Sequence, residues 1–186
     1  AYDDCVGVTY DDVRDDADAA LARIVERYKA VEAQCDAVVI IGSDFTDVGS
    51  PAELAYNARI AANLGAPVLL VVGGRAHQGL SEHLGASLPR TPDEMGQIAS
   101  LALVEVVHER AEIFAVIANR VDPDALDETV AAVKAVADAQ PLRTAAPGTG
   151  IPVWALPEDR FLIAPSVRGV LRSVEGELLK GDPELL

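Results

Sequence analysis

Ala37-Val38-Val39-Ile40-Ile41-Gly42, then Ser50-Pro51-Ala52-Glu53 running on to Leu64-Gly65, then Pro67-Val68-Leu69-Leu70-Val71-Val72: these three stretches decide the fold. The first and third are short, apolar and rich in β-branched residues, the pattern of strands buried on both faces. The middle one combines an N-cap serine, a proline at the first helical position and a capping-box glutamate, so a helix is expected from Pro51 to Leu64, ended by Gly65. Strand, helix, strand at this spacing is a parallel unit with a right-handed crossover.

The same alternation continues toward the C-terminus. Thr91-Pro92-Asp93-Glu94 repeats the capping device and opens a helix through about Glu109, followed by a strand from Ile113 to Ala118. Asp122-Pro123 starts another helix with Leu126, Val130, Val133 and Val136 on one face. Pro152 to Leu156 is the fourth strand, and Pro165 to Lys180 the last helix, stopped by Gly181. Toward the N-terminus, Thr9 with Asp12 three residues on marks a helix start, and Val13, Ala17, Ala20, Leu21, Ile24, Tyr28 and Val31 recur at helical spacing to about Ala33. Asp11, Asp12, Asp15 and Asp16 crowd its first turns, where they complement the helix dipole better than they suit a metal. One α/β domain over residues 1–186, with a mainly parallel sheet between helices in three layers, is the expected architecture. Its longer loops cover 73–90 and 140–150.

Composition narrows the function classes. Half of the 186 residues are hydrophobic but only 4% aromatic, which fits an aliphatic core between helices and a parallel sheet. A net charge of −15 with no offsetting Lys/Arg cluster argues against nucleic acid and anionic membrane as partners. No apolar run approaches the ~20 residues of a membrane span and no signal peptide is seen, so the cytoplasm is the expected location. Cys5 and Cys35 lack metal-ligand or CxxC spacing and read as reduced, partly buried thiols. His77 and His83 stand between glycines with no Cys or carboxylate pattern beside them, and no metal site is expected.

Ligands of open parallel sheets bind at the carboxyl ends of the strands. Three polar clusters fall there: Gly42-Ser43-Asp44-Phe45-Thr46-Asp47 after the first strand, Asn119-Arg120-Val121-Asp122 after the third, and Glu158-Asp159-Arg160 after the fourth. Asp44 sits where a nucleotide-binding domain of this architecture places a magnesium-directed carboxylate, and Asn119 to Asp122 resembles an N-K-x-D element that reads a purine. Asp44, Thr46, Asn119, Arg120 and Asp122 are therefore the candidate cleft. Each has a plainer alternative: turn hydrogen bonds for Asp44 and Thr46, an N-cap for Asp122, a loop residue closing a strand for Asn119. No G-x-x-x-x-G-K-[ST] phosphate loop occurs, and Pro147-Gly148-Thr149-Gly150 precedes a strand rather than a helix, so it does not replace one.

Four stretches carry a family resemblance: Cys35 to Asp47; Asn57-Ala58-Arg59-Ile60-Ala61-Ala62-Asn63-Leu64-Gly65-Ala66-Pro67-Val68-Leu69-Leu70; Ala118-Asn119-Arg120-Val121; and Leu156-Pro157-Glu158-Asp159-Arg160-Phe161-Leu162-Ile163-Ala164-Pro165-Ser166-Val167. Together they resemble the N-terminal, P-loop-type (dethiobiotin synthetase-like) domain of long-form bacterial phosphate acetyltransferases, most closely the actinobacterial ones. The resemblance implies a parent enzyme that converts acetyl-CoA and phosphate to acetyl phosphate and CoA through a C-terminal catalytic domain. No catalytic residue would then lie in this chain, which alone would be inactive. Its role would be regulatory and assembly-supporting, with no bound cofactor and a nucleotide or metabolite as effector. Its partners would be the remaining domains of the parent and further copies in a homo-oligomer. The alternatives are an ATP-dependent ligase-type enzyme of the dethiobiotin or cobyrinate synthetase group and a non-catalytic interaction module.

In domains of that type the phosphate-loop strand is central. A chain that lacks it either leaves a gap in the sheet or lets the flanking strands close up, and because unpaired Val/Ile-rich edges seek partners, the chain is expected to self-associate or to cover the vacancy with Cys5 to Thr9.

Overall fold

The computed structural model describes residues 7–42, 52–76, 87–141, 143–144, 150–163, 167–177 and 180. Helices α1 (Tyr10–Asp15), α2 (Ala17–Glu32) and α3 (Ala52–Leu64) precede strand β1 (Val68–Gly73). Helix α4 (Pro92–His108), β2 (Glu112–Val121), a 3-10 turn (Pro123–Ala125) and α5 (Leu126–Ala139) come next. The chain continues through β3 (Arg143–Thr144), β4 (Val153–Pro157), α6 (Arg160–Ile163) and α7 (Val167–Ser173).

All pairing within the sheet is parallel and centres on β2. One edge of β2 takes β1, with Leu70 opposite Val116 and Val72 opposite Ala118. The other edge takes β3 at Glu112 and Ile113, then β4, with Val116 opposite Val153 and Ala118 opposite Ala155. These paired residues share one face with the core. There Met95, Ala99, Leu103 and Val106 of α4 and Val133 and Ala137 of α5 are buried with Leu70, Val72, Val116 and Val153. The small residues of α4 let α5 come close, the backbone of Ala132 lying 3.5 Å from where a Cβ on Gly96 would stand. The expected α/β, parallel-sheet class is what the structure shows.

Helix ends follow their sequence signals. Thr91 caps α4 through its side chain while the Glu94 carboxylate accepts from the Thr91 N–H at 2.7 Å, and the same reciprocal pair joins Thr9 and Asp12. Gly65, at φ 64°, ends α3, with the Ala66 N–H donating to the Ala61 carbonyl. Arg110 does the same after α4 at φ 60°, an unusual choice where glycine is free of strain. Hydrogen bonds from Thr91 hold the Glu94 carboxyl below its ordinary pKa of 4.5. A depressed folded-state value means that the box adds stability above the unfolded pKa and loses it as pH falls through the folded one. Wild type and Glu94→Gln should therefore differ in melting temperature near neutral pH and converge as the pH falls from the ordinary glutamate value through the lowered folded-state one. A gap that persists in acid would show that the carboxylate is not the source.

Several expectations are corrected. Ala37 to Ile41 is not a strand: it pairs with nothing described, and Val39 and Ile41 are 88% and 91% exposed. Its apolar content suits a buried strand, but no described strand lies beside it to supply a ladder. The expected long first helix is broken at Asp16, whose backbone is extended (φ −155°) and whose carboxylate caps α2 through the N–H groups of Asp18 and Ala19. Asp12 likewise serves its own capping box and an ion pair with Arg23 at 2.8 Å. The Thr9 backbone N–H, and then Arg23, hold its carboxyl well below the usual range. Among the described residues the last helix runs from Val167 to Ser173, behind the short α6, and so ends before the expected Lys180. Cys35 is exposed rather than partly buried, while Cys5, His77, His83 and the Ser50-Pro51 cap lie outside the described residues.

The second sheet face has no described layer over it. Leu69, Val71, Trp154 and Leu156, which register places together on that face, each keep close to half of their surface exposed. Among the described residues no strand lies on the outer edge of β1. Of the Cys5 to Thr9 segment, residues 7–9 are described, and they form no strand.

Candidate functional site

Because β1, β2 and β4 are parallel, their carboxyl ends open at one edge, and the residues directly behind each strand meet there. After the body of β1 comes Gly73-Gly74-Arg75. Gly73 lies opposite Asn119 on β2, and Gly74 N–H donates to the Asn119 carbonyl at 2.6 Å. The chain then turns back on itself. Arg75 bridges Pro89, the Arg90 N–H donates to the Gly74 carbonyl at 2.8 Å, and the Arg90 guanidinium donates to the Gly73 carbonyl.

At the end of β2, Asn119 pairs with Leu156 of β4, but the register slips before Val121 meets Pro157, leaving Arg120 as the inserted residue. Arg120 has φ 60°, a left-handed backbone that a residue carrying a Cβ adopts only at a cost. A bulge of this kind re-aims a side chain. Here it brings the Arg120 guanidinium to Glu158, the first residue after β4, whose own N–H donates to the Val121 carbonyl at 3.1 Å. Nε and Nη2 of Arg120 both lie 3.3 Å from Glu158 Oε2, and Nε of Arg75 packs against the same oxygen. The side chains of Glu158, Arg75 and Arg120 are 7%, 17% and 33% exposed. One nearly buried carboxylate thus ties together the ends of all three strands.

Of the residues expected in the cleft, Asn119 and Arg120 stand at this edge, half-buried. Asp122 stands beside them, but its carboxylate accepts the Asp124 N–H at 3.0 Å and caps the 3-10 turn. Asp159 similarly accepts the Phe161 N–H. Asp44 and Thr46 lie outside the described residues. Arg75, given no role by its sequence context, joins the edge in space. The available signal was its place directly behind a strand-terminating Gly-Gly pair. Among the described residues no group of three His, Cys, Asp or Glu side chains could hold a metal, and no helix is long and apolar enough to cross a membrane.

A parallel α/β sheet with its polar residues gathered at the carboxyl edge is the arrangement in which open α/β domains bind ligands, and P-loop-NTPase-like domains are one group of that class. The comparison of sequences agrees with that class: residues 2–147 match the family model described as AAA domain, and the chain belongs to that family. It is also similar to two phosphate acetyltransferases. One, from Nitratidesulfovibrio vulgaris, is 33% identical over 118 residues, 61% of this chain and 16% of the relative. The other, from Synechocystis sp., is 26% identical over 164 residues, 88% of this chain and 20% of the relative. The chain thus spans no more than a fifth of the length of these relatives. No solved structure matches it.

Proposed function

We propose that this chain is the N-terminal, regulatory and assembly-supporting domain of a cytoplasmic phosphate acetyltransferase of the actinobacterial type. The observation that carries the reading is its similarity to a small part of two long phosphate acetyltransferases, combined with membership of the AAA-domain family. The sheet's carboxyl edge, with Asn119 and Arg120, is the place where an effector, nucleotide or metabolite, would bind. Incubated with acetyl-CoA and phosphate, the purified chain should form no acetyl phosphate above a no-protein control. Formation above that control would overturn the domain assignment.

Assembly is the second half of the proposal. The outer edge of β1 pairs with no described strand and its sequence, Val68-Leu69-Leu70-Val71-Val72, carries no charge or proline to discourage pairing. A second copy is the proposed occupant. Light scattering should give a mass above that of one chain, and a strict monomer at tens of micromolar would remove this half. The AAA-domain match also favours a second reading, a nucleotide-dependent ligase-type enzyme. Saturable ATP hydrolysis by the chain alone would select it.

A further inference from the structure

We propose that Arg75 and Arg120 form a binding site for a phosphoryl-type oxyanion, at which Glu158 is the resident internal anion. The inference rests on the reading of the carboxyl edge as an effector site and names the ligand chemistry. It stands on charge and geometry. Two guanidinium groups share a single carboxylate oxygen, Glu158 Oε2, so the three side chains together carry one net positive charge. Among the described residues the neighbouring carboxylates do not supply its partner: Asp122 faces the Asp124 N–H and Asp159 the Phe161 N–H. Arg90 is turned to the Gly73 carbonyl.

Arg120 is the part that a ligand can reach. Both of its contacts to Glu158 are long, at 3.3 Å, and a third of its side chain is open at the edge. A guanidinium presents five N–H donors in a planar fork that suits the oxygens of a phosphoryl group. The backbone around it is built rather than incidental. A bulge and a left-handed φ aim the side chain inward, a strained arrangement that a residue serving only as a surface charge would not need. An oxyanion entering here bridges Arg120 and Arg75 in competition with Glu158. The net charge of −15 opposes anion entry, so the affinity is modest.

The test is an NMR titration of the wild-type chain with inorganic phosphate and, separately, with ATP, each against sodium chloride at matched ionic strength. Phosphate should cause saturable shifts at Arg75 and Arg120, and Arg120→Gly, which suits the left-handed backbone, should weaken binding about tenfold or more. Glu158→Gln, which removes the internal anion, should gain more melting temperature from phosphate than wild type does. If ATP gives these shifts at lower concentration than phosphate, the oxyanion arrives on a nucleotide; if phosphate alone gives them, it arrives free. Absence of saturable shifts at these arginines with either probe, or an unchanged affinity in Arg120→Gly, overturns the proposal. That failure is separate from failure of the domain assignment, which is read from acetyl phosphate formation.

Discussion

Replacing Glu158 by alanine should lower the unfolding free energy by about 2–4 kcal/mol, one of the two largest effects expected from a single change in this chain. Removing one partner of a buried ion pair leaves the other charge without compensation in a place where water cannot fully solvate it. At this edge two charges are stranded, Arg75 almost buried and Arg120 one-third exposed. The exposed fraction of Arg120 can rehydrate, which places the effect below that for a wholly buried triad. Three strand ends are also untied, since Arg75 lies behind β1, Arg120 belongs to β2 and Glu158 lies behind β4. Urea denaturation would give the number. Adding Arg75→Met to Glu158→Ala should recover part of the loss, because the stranded charge has gone with its partner. A cost below about 0.5 kcal/mol, the level of an exposed pair, would show that the cluster is solvated and does not hold the edge together.

Gly74→Ala is expected to cost up to about 3 kcal/mol, the upper end for overpacking, and to disturb the same edge. A Cβ at Gly74 would stand 2.6 Å from the Arg120 carbonyl oxygen and 2.9 Å from both the Arg120 carbonyl carbon and the Val121 Cα. All three are backbone atoms, so no side-chain rotation can relieve the contact. Either β1 separates from β2, breaking the 2.6 Å bond from Gly74 N–H to the Asn119 carbonyl, or Arg120 leaves its left-handed conformation and its guanidinium leaves Glu158. Gly65→Ala makes a useful comparison. That position has φ 64° but nothing within 4 Å of the added carbon, so its cost is confined to backbone strain. If Gly74→Ala melts no lower than Gly65→Ala, the close approach of the two strands is not a constraint on the fold.

Much of this fold is legible in the chain because its signals are local. A capping box needs only residues three apart, and Thr91 with Glu94 places the start of α4 correctly. Gly65 ends α3 because it adopts the left-handed backbone that closes a helix, which glycine takes without strain. Apolar runs bounded by turn residues place β1, the core of β2 and β4 to within a few residues, and helix-strand alternation fixes their parallel sense. Asp16 runs against expectation for the same reason: an aspartate inside a helical period is also a competent N-cap, and the local pattern does not say which use prevails.

Properties that require two distant segments at once are not written in the sequence in this way. Ala37 to Ile41 has the composition of a central strand, yet a strand exists only where a neighbour offers a ladder of amides and carbonyls, and no described segment does so. Asn119 and Arg120 stand out from one short motif. Arg75 and Glu158 join them only through the register of β1 and β4 on β2 and through the bulge that turns Arg120 inward. The sequence by itself determined the elements, their parallel order and the edge at which polar residues collect, because periodicity and capping act over a few residues. The tertiary structure alone decided which charges share an oxygen and which sheet edge lacks a described partner, because ion pairing and strand pairing depend on distances between residues that the chain keeps far apart.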